Sequence, residues 1–168
     1  MSATPGAPRM DRASKARLVT ALVDALAREL EAMIESQRAA AEAATHEEAK
    51  AEDDKDTRAI EQSYLARGQA ARVEELEAAL LAVRAMPVRT FAEDAPIALG
   101  ALVTTLEHDD VRRLLVAPDG GGTTLEGGVL VVTPRAPLGR ALLGKTAGDV
   151  IELASGPKVR ELEVVAVE

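Results

Sequence analysis

Near the middle of the chain, Glu47-Glu48-Ala49-Lys50-Ala51-Glu52-Asp53-Asp54-Lys55-Asp56 packs six carboxylates into ten residues. Carboxylates at this density suit a hard cation. Mg²⁺ keeps several waters and is typically held by one or two carboxylates that share it with substrate phosphates. A pair of such ions can activate an attacking water and stabilise a leaving oxygen. A run of charge is also what an ordinary solvated loop carries, so its position in the fold decides its meaning. His46 stands beside Glu47 and Glu48, but without a matched set of ligands it reads as a helix residue, as does the isolated His108; neither is assigned to a metal. Asp119-Gly120-Gly121-Gly122 has the glycine content of a phosphate-binding loop, yet no Gly-Lys-Ser or Gly-Lys-Thr follows it, so it reads as a strand connection.

The acidic run lies between two long apolar stripes. Upstream, Leu18, Leu22, Leu26, Leu30, Met33 and Ile34 recur at helical spacing, and downstream Ile60, Tyr64, Val73, Leu76, Leu80 and Val83 do the same. The link between them is short, so the chain is expected to fold back as an antiparallel helical hairpin that buries both stripes and carries the acids at its tip. The first helix is predicted from about Asp11 or Ser14 towards Lys50, roughly 50 Å at 1.5 Å per residue. The second is predicted over Thr57–Met86 with Asp56 or Thr57 as its N-cap. Tyr64 is expected to pack across the hairpin, and Gly68 to mark a close approach of the helices. Ala39-Ala40-Ala41-Glu42-Ala43-Ala44 favours helix but has little side chain to bury, so the hairpin should narrow before its tip.

Composition limits the function classes. The chain has 168 residues and a formal charge of −8, with 47% hydrophobic but only 1% aromatic residues. Split at Pro87, each half carries a formal charge of −4, so neither is a hidden basic module for neutralising phosphates. The lack of cysteine fits a reducing cytoplasm, where the protein is expected to act. No apolar run approaches the roughly 20 residues needed to span a bilayer, so no membrane partner is expected.

Met86-Pro87 ends the helical pattern, because Pro donates no N–H and constrains the residue before it. Strands are predicted at 98–106, 112–117, 129–132, 149–153 and 158–167, with one or two helical turns over Pro137–Lys145 ending at a glycine. The expected fold class is α+β: a disordered tail over 1–10, a coiled-coil hairpin over 11–86 with its acidic tip near 47–56, a linker over 87–97, and a compact β-rich domain over 98–168.

The run Val132-Thr133-Pro134-Arg135-Ala136-Pro137-Leu138-Gly139-Arg140-Ala141-Leu142-Leu143-Gly144-Lys145-Thr146-Ala147-Gly148-Asp149-Val150-Ile151-Glu152 closely resembles the signature of bacterial Gre transcript-cleavage factors. Arg160-Glu161-Leu162-Glu163-Val164-Val165 looks like that family's last strand, and the order of parts agrees. The resemblance implies an FKBP-like C-terminal domain that docks at the rim of the RNA polymerase secondary channel. It also implies a hairpin that reaches down the channel towards the active site, with any contact to nascent RNA indirect. In that family an acidic pair three residues apart helps the polymerase hold its second catalytic Mg²⁺ while it hydrolyses backtracked RNA.

Carried over residue by residue, the resemblance assigns the pair to Asp53 and Asp56, with Glu52 and Asp54 as substitutes if the register slips. It gives Pro137, Leu138, Arg140 and Lys145 to partner binding. Gly139, Gly144 and Gly148 are expected to shape the backbone instead. Asp56 stands where the family has Glu, Thr57-Arg58-Ala59-Ile60 lacks its usual following stretch, and Ala136 replaces a polar residue, which marks a divergent paralogue. The protein is therefore expected to be an accessory factor and not an enzyme, with no cofactor of its own beyond Mg²⁺ shared in the polymerase active site. A non-cleaving inhibitor of the polymerase, an FKBP-like prolyl isomerase and a coiled-coil scaffold are the alternatives. Two matched stripes on one chain favour a monomer.

Overall fold

The computed structural model describes residues 10–48, 55–155 and 158–168. Helix α1 spans Arg12–Glu48 and α2 spans Lys55–Ala85. The sheet strands are β1 (Leu102–Glu107), β2 (Asp110–Val116), β3 (Thr124–Leu125), β4 (Val129–Val132), β5 (Val150–Ser155) and β6 (Lys158–Val167). A short helix, α3 (Pro137–Leu142), lies between β4 and β5. Asp24–Leu81 makes one compact unit, and the start of α1 together with Ala82–Glu168 makes the other.

Asp11 starts α1. Its carboxylate accepts the Ser14 amide at 2.8 Å, satisfying a helix-terminal donor, and its carbonyl accepts Lys15 N–H at 3.1 Å. In the helical unit, Leu26, Leu76, Ala79 and Leu80 are buried, and Arg72 reaches across to Glu29 at 2.7 Å. From that ion pair to the helix ends is 19 residues on α1 and 17 on α2, or roughly 28 Å and 26 Å of helix. Such matched lengths are those of an antiparallel return.

Three expectations fail here. Ile34, Ile60 and Tyr64 are 47%, 57% and 70% exposed, so the stripes are buried only in the half away from residues 49–54. The Glu29–Arg72 register sets Ile60 and Tyr64 roughly opposite residues 37–41, Gln-Arg-Ala-Ala-Ala, which offer little apolar surface to pack on. Gly68 likewise marks no close approach, since a Cβ there would meet nothing within 4 Å. Gly68→Ala is therefore expected to stabilise α2 by about 1 kcal/mol, read as a higher denaturation midpoint. Asp56 and Thr57 sit inside α2 and do not cap it.

The other unit is built on a mixed sheet in the order β3-β4-β2-β1-β6-β5, in which only β2 and β4 run parallel. Side chains alternate between its faces. Val103, Leu114, Val116, Val132, Ile151, Leu162, Val164 and Val167 fill one face together with Ile97, Ala101 and Leu142 of α3. Leu102, Leu115 and Val131, which point to the other face, are also at most 1% exposed. The first turns of α1 reach this layer: Leu22 lies against Gly120, and Met10 N–H donates to Glu168 Oε1 at 2.7 Å.

The segment before the sheet is tied down. Lys15, 2% exposed, donates to Arg89 O at 2.9 Å and sits 4.9 Å from the Phe91 ring centre, a cation–π contact. Ile97 exchanges backbone bonds with Gly144 and Lys145 at 2.9 and 2.8 Å. Residues 98–101, expected to be strand, form a turn instead. Gly100, at φ +85°, lies so close to Pro87 O that a Cβ would come within 2.7 Å of it. β3 and the 3₁₀ turn Glu126–Gly128 carry no sequence periodicity and lie outside the predicted strands. Asp119–Gly122 is a strand connection as expected: Asp119 Oδ1 accepts Gly120 N–H at 2.7 Å, and Gly122 N–H donates to Val131 O at 2.9 Å.

Candidate functional site

The predicted acidic tip and the predicted docking residues fall in different parts of the chain. Glu52, Asp53 and Asp54 lie outside the described residues, and Asp56 is the second residue of α2. Among the described residues no three His, Asp or Glu side chains stand together as a metal site.

The docking residues can be followed in detail. Pro137 opens α3 at a position whose N–H would lack a helical partner anyway, after Ala136 in extended conformation (φ −77°, ψ 149°). Gly139 is buried because the helix backbone lies directly on the preceding chain. A Cβ there would collide with the Thr133 carbonyl, 2.6 Å from its carbon, and would come within 3.3 Å of Pro134 N. Leu138 packs half-buried on the sheet core, while Pro137, Arg140 and Lys145 are exposed. Arg140 Nη1 donates to Arg135 O at 3.1 Å, which holds it against the entry to the helix. Leu143 N–H returns to Gly139 O at 3.1 Å, and Gly144 at φ +76° turns the chain out of the helix.

Sequence reasoning missed Arg135. Its side chain is 84% exposed, with only a 3.6 Å approach to Asp119 Oδ2, and it adds a third cation to Arg140 and Lys145 around α3. The available signal was its place inside the same motif, one residue from Ala136. Arg135, Arg140 and Lys145 are thus three exposed cations close in sequence to the half-buried Leu138, on a chain of net charge −8.

Asp149 closes the turn after α3. Its Oδ2 accepts Thr146 N–H at 2.8 Å and lies 3.2 Å from Thr146 Oγ1. The Thr146 amide holds this carboxyl below the usual carboxylate range, and the Thr146 hydroxyl and nearby Lys145 act in the same direction. Glu107 is lowered in the same way by its two-pronged pair with Arg160, whose Nε lies 2.6 Å from Oε1. A carboxyl lowered in the folded state stabilises above its unfolded value, near 4, and that stability is lost as pH falls through the lowered folded value. The urea midpoint is thus expected to be flat from pH 7 to 5 and to drop below pH 4. Asp149→Asn should lower the midpoint at pH 7 and reduce the acid-induced drop.

No family profile matches the chain. Over 99 residues it is 34% identical to transcription elongation factor GreA of Xylella fastidiosa (strain 9a5c), a match covering 58% of this chain and 61% of that protein. The chain thus spans less than two thirds of the curated relative it matches. Among solved structures, GreA factor homolog 1 (Gfh1) of Thermus thermophilus shares 22% identity over 87% of this chain and 94% of its own, with a TM-score of 0.38. Thermus aquaticus Gfh1 shares 24% over 90% and 96%, with a TM-score of 0.40.

Proposed function

We propose that this chain, a divergent relative of the Gre-type transcription elongation factors, binds RNA polymerase at the rim of its secondary channel and modulates cleavage of backtracked transcripts from there. The observation that carries the reading is the sequence match to GreA. The surface around α3 supports it, with Arg135, Arg140 and Lys145 exposed and Leu138 offering an apolar contact. The two helices of 37 and 31 residues on either side of the acidic run support it too, as the arms such a hairpin needs.

In this reading the chain is an accessory factor, monomeric and cytoplasmic, and any hydrolysis belongs to the polymerase. Mg²⁺ bound in the polymerase active site would supply the activated water and the charge stabilisation for phosphodiester cleavage. Asp53 and Asp56 would contribute carboxylates at the tip, and the α3 surface would fix the register from which they act. The test is a transcript-cleavage assay on stalled elongation complexes with and without the chain. A changed cleavage rate at saturating factor is expected. Unchanged cleavage despite binding would reduce the function to occupation of the channel, and no effect together with no binding would refute the proposal.

A further inference from the structure

The sheet face that carries the buried Leu102, Leu115 and Val131 lies open at its β5–β6 end. There β5 and β6 present Val150, Glu152, Val159, Glu161, Glu163 and Val165 to solvent. Val150, Val159 and Val165 are 55%, 63% and 41% exposed. Glu152 lies directly opposite Glu161, and Val150 opposite Glu163. Like charges facing each other across strands oppose sheet formation, and none of the three glutamates has an ion pair among the described residues. β5 is also an edge strand, with one side of its backbone unpaired in the sheet.

We propose that this edge and face form a docking surface for an extended segment of another protein in which every second residue, sharing one face of the strand, is in turn apolar and Lys or Arg. The sign of the charge selects the occupant. Nucleic acid and anionic membranes are repelled by three carboxylates, and a second copy of the chain would set glutamate against glutamate. A strand added beside β5 places alternate side chains on the same face, where they meet Val150 with an apolar group and Glu152 with a cation. This surface is distinct from the residues around α3 and does not depend on the polymerase reading.

The test uses the full chain and a labelled twelve-residue peptide repeating Val-Thr-Lys-Thr, which sets Val and Lys in turn on one face of the strand, with Ser in place of every Val (the Ser/Lys peptide) as the probe of charge alone. Fluorescence anisotropy measures affinity, and amide hydrogen exchange locates the peptide. The expected result is protection of the β5 amides, with affinity at least about tenfold weaker for the Ser/Lys peptide. Affinity should fall similarly in Glu161→Lys/Glu163→Lys, which keeps an opposite-charge pair with Glu152 and so favours folding. It should persist in Glu74→Lys/Glu77→Lys, which makes the same charge change on α2. Equal affinity for both peptides, or protection away from β5, overturns the proposal. So does self-association of the Glu161→Lys/Glu163→Lys chain by light scattering, which would show that the acids serve to keep copies apart.

Discussion

Asp53→Ala/Asp56→Ala is expected to remove the effect of the chain on transcript cleavage while leaving its affinity for core RNA polymerase within about twofold. The separation follows from the proposed division of labour. In that proposal the binding energy comes from the surface around α3, in a different compact unit from most of the hairpin. The tip carboxylates would act only where the polymerase holds its metal and its RNA. Loss of a carboxylate that helps to place such an ion removes up to several kcal/mol of stabilisation from charge developing in the transition state. Each 1.4 kcal/mol is a factor of ten in rate, so the loss should be on the order of tenfold or more. Asp56→Glu provides the complementary test. It adds one methylene and restores the longer acid of the Gre pattern, so it should enhance any cleavage stimulation. A double variant as active as wild type would remove Asp53 and Asp56 from the mechanism and leave the tip acids as solvated charge.

Gly139→Ala is expected to be among the most damaging single-methyl additions in the chain. The new Cβ meets the backbone of Thr133 and Pro134, not the movable end of a side chain. Relief requires moving α3 away from the strand end it rests on, taking Leu142, 0% exposed, out of the core. Overpacking of this kind costs about 3 kcal/mol, at the upper end of the usual range. For a chain of this length that lowers the thermal midpoint by roughly 6–12 °C. Gly144→Ala is the contrasting case: nothing lies within 4 Å of a Cβ there, and only its φ of +76° is unfavourable. That substitution should cost about 1–2 kcal/mol. Because Arg140 and Lys145 sit on either side of the displaced helix end, Gly139→Ala should also weaken polymerase binding. A midpoint equal to wild type would show that α3 does not rest on residues 133–134 as described.

The elements that announced themselves were those with strong local signals. Asp11 before an apolar period of 3.6 marked the start of α1, and alternation over 158–167 marked β6. Pro137 at the head of a short apolar run and Gly144 just beyond it bracketed α3. What the sequence hid depended on the partner surface. Ile60 and Tyr64 have the right spacing to be buried, but burial needs a facing surface, and the alanines of α1 provide almost none. Residues 98–101 are apolar enough for a strand, yet Gly100 at φ +85° and the bonds from Ile97 to Lys145 make them a turn. Lys15 gave no signal of burial, because its partners, Arg89 O and Phe91, are more than seventy positions away. Of the candidate site, the motif around α3 was legible as a resemblance. That Gly139 is there for close packing, and that Arg135 joins the cations, required the folded backbone.

The proposed function requires an encounter with RNA polymerase, and equilibrium binding of the labelled chain to core enzyme tests it most directly. A saturable one-to-one complex is predicted. Arg135→Glu/Arg140→Glu/Lys145→Glu should weaken it at least about tenfold, and Asp53→Ala/Asp56→Ala should leave it intact. Absence of a saturable complex with wild-type chain, or binding that ignores the charge reversal around α3, would contradict the account.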